Sequence, residues 1–282
     1  DWSSDVCSSD LLYPLVYIVS CSFSDSIAVI SGRVWLFPVE PTILAYEGVF
    51  RNPNIMTGYA NSLFYTFFGT LINLVVTFLA AYPLSRKNVI MGKKFFMFFF
   101  TFTMLFSGGM VPSFLLVNRL GLINTRWALL IPGALAVWNF IITRTFLIHN
   151  IPEELYECAA LDGSSDLHTF FRIALPLSGT IIAVNALYYA VGHWNSYFAA
   201  LLYIRRSALF PLQIVLRNIV IQNQIDASML AVVDPREAAR REALTTLLKY
   251  APIVVASLPV MMIYPFVQKH FVKGVLIGSI KG

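Results

Sequence analysis

Charge is what this sequence has least of. Asp, Glu, Lys and Arg make up 12% of its 282 residues, about half of the roughly 25% that soluble domains carry. Cysteine is scarce too: Cys7, Cys21 and Cys158 have no paired spacing, which excludes a disulfide framework and a thiolate metal site. No GxxxxGK[ST] phosphate loop occurs, so any nucleotide must be handled by a partner. Runs of alternating polar and apolar residues, the mark of a membrane barrel, are missing. Basic clusters with interleaved aromatics are missing outside the apolar blocks, so the net charge of +5 does not point to nucleic acid. Low-complexity tracts, internal repeats and converging Ser/His/Asp or metal-ligand sets are also absent.

Apolar residues, by contrast, are abundant. They form 57% of the chain, with a mean hydropathy of +0.70, more than one soluble core can bury. They fall in blocks approaching the ~20 residues that span a bilayer as helix. Lipid offers the backbone no hydrogen bonds, so such blocks must be helical. The reading is an all-α, polytopic membrane protein with six transmembrane helices.

The first ten residues, DWSSDVCSSD, change composition abruptly at Leu11 and read as a non-native leader to be set aside. Residues 11–282 read as one transmembrane domain. Its first span, Leu11 to about Phe23, is short and reads as truncated. A polar loop with Gly32, Pro38, Pro41 and Pro53 follows. Further spans are expected at about Tyr59–Leu84, from Phe95 onward, Trp127–Leu147, Gly179–Tyr203 and Ala251–Val267. Ser107-Gly108-Gly109 and Pro112 lie in the third, where they suit either a hinge or close packing. Arg144, near the end of the fourth, is placed to snorkel to the headgroups. An amphipathic, interfacial helix is expected over Leu209–Ile221. With the 204–250 segment set aside, nine Lys and Arg flank the 85–94 and 148–178 loops and the tail, against four opposite. That bias places these loops in the cytoplasm.

The informative stretch lies between the fourth and fifth spans: NIPEELYECAALDGSSDLHTFFRIALPLSG. Asn150 and Glu153 suit a capping box, with Pro152 in the first turn. Cys158, Ala159 and Ala160 form a small-residue knuckle that another backbone could approach. Gly163 suits a left-handed stop, and Ser164 or Ser165 a new cap. Leu167, Phe170, Phe171 and Ala174 recur at helical spacing. Two short helices at an angle are expected, and the plainer account is a loop packed on its own protein.

Glu157, Cys158, Ala159, Gly163, Ile173, Leu175 and Pro176 match, in type and spacing, the EAA signature of binding-protein-dependent ABC importer permeases. Cys158 stands where the family has its first Ala, a small-for-small change. The resemblance extends over Leu12–Gly282 through segments such as GHWNSYFAALLY and YPFVQKHFVKGVLIGSIKG. It is greatest to maltose-type carbohydrate permeases of the oligosaccharide subgroup. It implies a type I importer fold and a location in the bacterial cytoplasmic membrane. It also implies a homologous permease, two ATP-binding subunits that hold ATP and Mg, and an extracellular solute-binding protein. The chain itself would hold no cofactor and be no enzyme. The seven EAA residues would dock on the ATPase, and rocking of the permease halves would move sugars by alternating access.

Weaker signals surround this core. His193, Trp194, Asn195 and Tyr197, with Ser196, lie in the outer half of the fifth span. They suit either a substrate path or helix–helix glue. The 204–250 segment suits a loop toward the binding protein, and the tail from Gln268 contact with the ATPases. Rival functions are an importer of amino acids or polyamines, an intramembrane enzyme, for which only His193 is a candidate, and a scaffold without transport.

Overall fold

The computed structural model describes residues 2–86, 89–229 and 245–262, with side chains from Leu12 to Ile221 and from Thr245 onward. The chain runs α1 (Trp2–Ser22), α2 (Ser26–Ile30), α3 (Leu44–Phe50), α4 (Asn54–Ser85), α5 (Lys93–Leu105), α6 (Met110–Arg119) and α7 (Trp127–Leu130). It continues through α8 (Val137–Asn150), α9 (Glu153–Leu161), α10 (Asp166–Thr169), a π turn (Phe170–Ala174), α11 (Leu175–Leu177) and α12 (Gly179–Trp194). The last elements are α13 (Tyr197–Tyr203), α14 (Leu212–Met229) and α15 (Thr245–Met262). The described residues contain no strand.

By length and composition α4 and α15 can each cross a membrane alone. Two further pairs qualify only when joined across a bend: α5 with α6 at 113°, and Asp166–Leu177 with α12 at 80°. Among the described residues, two of the six expected spans are therefore visible as single long helices, and up to four spans are counted if each bent pair is one. The third is not one rod, because Gly109 adopts φ +86 and ψ 176, a conformation only glycine holds without strain. The fourth is interrupted: Pro132 and Gly133 separate α7 from α8, and α8 has only 14 residues, about 21 Å of helix. Nor does Arg144 snorkel. Its Nε donates to the Leu84 carbonyl at 3.0 Å, satisfying an orphan acceptor at the C-terminus of α4.

The chain divides into two compact units. In residues 1–61 with 206–263, Tyr59 donates to the Val255 carbonyl at 2.7 Å. Asn61 donates to the carbonyls of Ala208 and Phe210 at 2.8 and 3.1 Å. Gly58 allows α14 to approach, since a Cβ there would lie 3.2 Å from the Leu212 Cα. α14 is no interfacial helix: Leu212, Ile214, Val215, Leu216 and Ile219 are all buried in protein. The calls on Lys87, residues 230–244 and the tail from Gln268 lie outside the described residues.

The second unit, residues 62–205 among those described, holds the core that positions the loop between α8 and α12. Phe78, Ala81, Tyr82 and Leu84 of α4 pack with Phe140 and Leu147 of α8, Tyr156, Phe170, Ala174 and Ile181. Burial of this apolar surface sets the geometry described next.

Candidate functional site

The 150–178 segment folds as an elbow, and its turn is written in hydrogen bonds. The Ser164 amide donates to the Ala159 carbonyl at 2.9 Å and the Gly163 amide to that of Ala160 at 3.1 Å. This 6→1 and 5→2 pair is a Schellman stop, with Gly163 at φ +73. Ser165 then caps α10, its hydroxyl accepting from the His168 amide at 3.3 Å. The capping box expected at Asn150 does not form. Asn150 is the last residue of α8, so the N-cap of α9 falls on Pro152, which makes no side-chain cap bond. Glu153 turns to another partner.

Pro176 shapes the exit. Having no N–H, it cannot bond to residue 172, and its ring crowds that carbonyl. The preceding turn widens: the Leu175 amide reaches back five residues to the Phe170 carbonyl, giving the π turn over 170–174. The helix therefore runs on past Leu175-Pro176 and breaks at Ser178, whose hydroxyl donates to the Ala174 carbonyl at 2.6 Å.

The elbow is bolted to the end of α4. Arg86 places its guanidinium carbon 3.7 Å from the Tyr156 ring centroid, and its Nη1 meets the Glu153 carboxylate at 3.4 Å. Tyr82 and Phe170 rings lie 5.0 Å apart, Tyr82 and Tyr156 6.3 Å, and the Tyr82 hydroxyl donates to the Asp166 carbonyl at 3.3 Å. The Tyr156 hydroxyl is buried without a hydrogen-bond partner. Burial above all, with the neighbouring Tyr82 next and Glu153 adding to it against the pull of Arg86, pushes this phenol up to about 12. A recess of about 580 Å³ beside the joint is lined by Arg86, Lys93 and Arg144 together with Glu153 and Glu154.

The seven motif residues part into three sets. Glu157, Cys158, Gly163 and Pro176 are exposed, Ile173 and Leu175 half-buried, and Ala159 buried in the protein's own core. The expected apolar face of the second arm splits likewise. Phe170 and Ala174 face inward, whereas Leu167 and Phe171 join Leu155 and Leu161 on an exposed apolar surface around the knuckle. Leu161, at 88% exposure, is a large side chain offered to something outside the chain.

The other candidate set lies along α12. His193 and Trp194 are buried, Tyr197 is half-buried, and exposed Asn195 donates to the Val191 carbonyl at 3.0 Å. They do not converge on one site. Instead His193 is the end of a polar seam at four-residue spacing: Asn185, Tyr189 and His193 on α12, Asn73 and Thr77 on α4, Asn139 and Thr143 on α8. Asn185 donates to the Thr143 hydroxyl at 2.6 Å, Thr77 and Tyr189 share a 2.7 Å bond, and Asn73 Oδ1 lies 3.4 Å from His193 Nε2. Gly69 makes room for the imidazole, which a Cβ there would overlap. This spacing of polar residues inside apolar spans was readable in the sequence. The role of Arg86 was not, because one arginine in a basic loop carries no pattern. Among the described residues no group of three or more His, Cys, Asp or Glu could hold a metal.

Comparison with known proteins agrees with this geometry. Residues 74–277 match the family described as binding-protein-dependent transport system inner membrane component. Protein LplC of Bacillus subtilis (strain 168) is 43% identical over 275 residues, covering 96% of this chain and 90% of that protein. The polygalacturonan/rhamnogalacturonan transport system permease protein YtcP of the same strain is 42% identical, covering 95% and 92%. A crystal structure of a bacterial ABC transporter involved in the import of the acidic polysaccharide alginate contains a chain that superposes with a TM-score of 0.82. The two chains are 34% identical, with 95% of this chain and 93% of that one covered.

Proposed function

The chain belongs to the family of binding-protein-dependent transport system inner membrane components, and on that premise we propose that its elbow is where a separate ATP-binding subunit drives the import of oligosaccharides. It is an integral membrane permease with the all-α fold of type I ABC importers. The observation that carries the coupling role is the division of the motif. Exposed Cys158, Gly163, Leu161 and Leu167 form a small-residue knuckle with an apolar rim, while Ala159, Tyr156 and Phe170 lock the same helices into the membrane core. A push on the outer face is thereby passed to α4 and α8 as a rigid-body displacement. Glu157, Ile173, Leu175 and Pro176 complete the docking and hinge surface.

The assembly we infer contains a homologous permease, two ATP-binding subunits and an extracellular solute-binding protein. ATP and Mg belong to the ATP-binding subunits. Saccharides are supported as the solute, ahead of amino acids or polyamines, by the names of the polygalacturonan/rhamnogalacturonan permease and the alginate importer. The elbow faces the cytoplasm in this reading.

Cys158 supplies the test, since it is exposed while Cys21 is buried. In the assembled complex a short bifunctional thiol reagent should join Cys158 to an ATP-binding subunit. Labelling of Cys158 by an impermeant maleimide from the cytoplasmic side should fall when that subunit is bound. Labelling from the extracellular side would defeat the proposal.

A further inference from the structure

The recess of about 580 Å³ beside the joint between α4 and the elbow has two kinds of wall. Arg86, Lys93 and Arg144 form one, and Leu84, Leu147, Ile148 and Ile151 the other. It lies where α4 ends at Ser85, α5 begins at Lys93 and α8 ends at Asn150. The 32 residues of α4 make about 48 Å of helix, against roughly 40–45 Å for a bilayer with its headgroups. The end of α4, and the recess with it, therefore lies at the headgroups.

The protein's own groups leave these cations incompletely matched. Arg86 Nη1 meets Glu153 at 3.4 Å, but its Nε is buried with no hydrogen-bond partner. Arg144 donates through Nε alone, to the Leu84 carbonyl, which leaves the Nη groups of a five-donor guanidinium. Lys93 has neither a hydrogen bond nor an ion pair among the described residues. Of the two carboxylates at the rim, Glu153 offsets Arg86 and Glu154 is exposed. A buried N–H without an acceptor is costly, and packing within the elbow does not supply one.

An unmatched donor beside two further cations suits an anion with several oxygens, and guanidinium groups match phosphate in geometry. The apolar wall indicates what that phosphate is attached to. Ile148 is 40% exposed on it. Just beyond Lys93, Phe95, Phe98 and Phe99 of α5 are exposed as well. A soluble phosphate gains nothing from such surface, whereas acyl chains cover it. We propose that the recess binds the phosphate of an anionic phospholipid headgroup, held by Arg86, Lys93 and Arg144, with the glycerol and upper acyl chains against the Leu147–Ile148 wall. Basic recesses between spanning helices are suited to such headgroups. Because Arg86 also seats the elbow on α4, the bound lipid ties that seating to the charge of the surrounding leaflet.

The test uses the complete complex in liposomes, with a trace of phosphatidylglycerol carrying a photoreactive headgroup as probe. Its phosphatidylcholine counterpart is the comparison, and bound peptides are mapped by mass spectrometry. Phosphatidylglycerol should cross-link within residues 84–93 or 144–156, and phosphatidylcholine far less. Lys93→Gln should lower the yield roughly fivefold, the weight of one cation near anionic lipid, and Lys93→Arg should keep it. Ile148→Glu, which adds a repelling carboxylate to the wall, should lower it too. Arg119→Gln, outside the recess, should leave it unchanged, and excess inorganic phosphate should not compete. Equal yields from the two lipids, or a yield unmoved by both Lys93→Gln and Ile148→Glu, would overturn the proposal. Competition by inorganic phosphate would assign the recess to a soluble phosphate and overturn the lipid.

Discussion

Replacing Arg86 by Ala tests the joint that ties the elbow to α4. The guanidinium stacks on a Tyr156 ring that is 3% exposed. A cation over a ring in this partly desolvated setting contributes about 1–2 kcal/mol. Its ion pair with Glu153 adds less, because the carboxylate side chain is 34% exposed, and screening holds such pairs to about 0.5–1 kcal/mol. Together the joint is worth about 1.5–3 kcal/mol, or roughly a tenfold to hundredfold shift in how often the elbow stays seated. The assay is the number of ATP molecules hydrolysed per solute imported by reconstituted complexes. Arg86→Ala should raise that ratio severalfold while ATP hydrolysis continues. Arg86→Lys, which keeps the charge but loses the planar stack, should fall between. Tyr156→Leu should be non-additive with Arg86→Ala, since both remove one contact. An unchanged ratio in Arg86→Ala, with additive behaviour in the pair, would refute the joint as a transmitter of force.

Other expectations follow from single positions. Gly163→Val places a β-branched residue at φ +73 with no neighbour in reach, so the cost is backbone strain of about 1–3 kcal/mol. Uptake should fall and ATP hydrolysis become uncoupled from it, while Gly163→Asn, which tolerates that conformation, should retain most transport. Tyr156→Phe removes a buried hydroxyl without a partner and should leave stability equal or about 1 kcal/mol higher at neutral pH. The phenol's pKa rises from about 10 to about 12 on folding. Its contribution is therefore complete below pH 10 and lost as pH climbs to 12, because only the unfolded chain ionises in that window. Thermal melts across it should show a decline that Tyr156→Phe makes shallower. Gly69→Ala drives a methyl into the His193 ring and should cost about 1–3 kcal/mol, read as a lowered Tm in detergent. Adding His193→Ala should restore part of that loss.

Composition and residue order determined the membrane class, because a helix is the only way to place so many uninterrupted apolar residues in lipid. They also determined the stop at Gly163, the cap at Ser165 and the spacing of Glu157 through Pro176, all of which depend on neighbours within a few positions. The capping box failed although it was local, because Asn150 was claimed by the preceding helix. The third span bends at Gly109, inside the Ser107-Gly108-Gly109 stretch that suited either a hinge or close packing. What the tertiary structure alone decided is which side chains of those helices face which way. Phe170 goes inward and Phe171 outward, Arg144 caps a helix 60 residues earlier, and Arg86 seats on Tyr156. Each of these depends on contacts between segments distant in sequence. Such contacts are set by the packing of whole helices, and the periodicity of any one helix does not encode them.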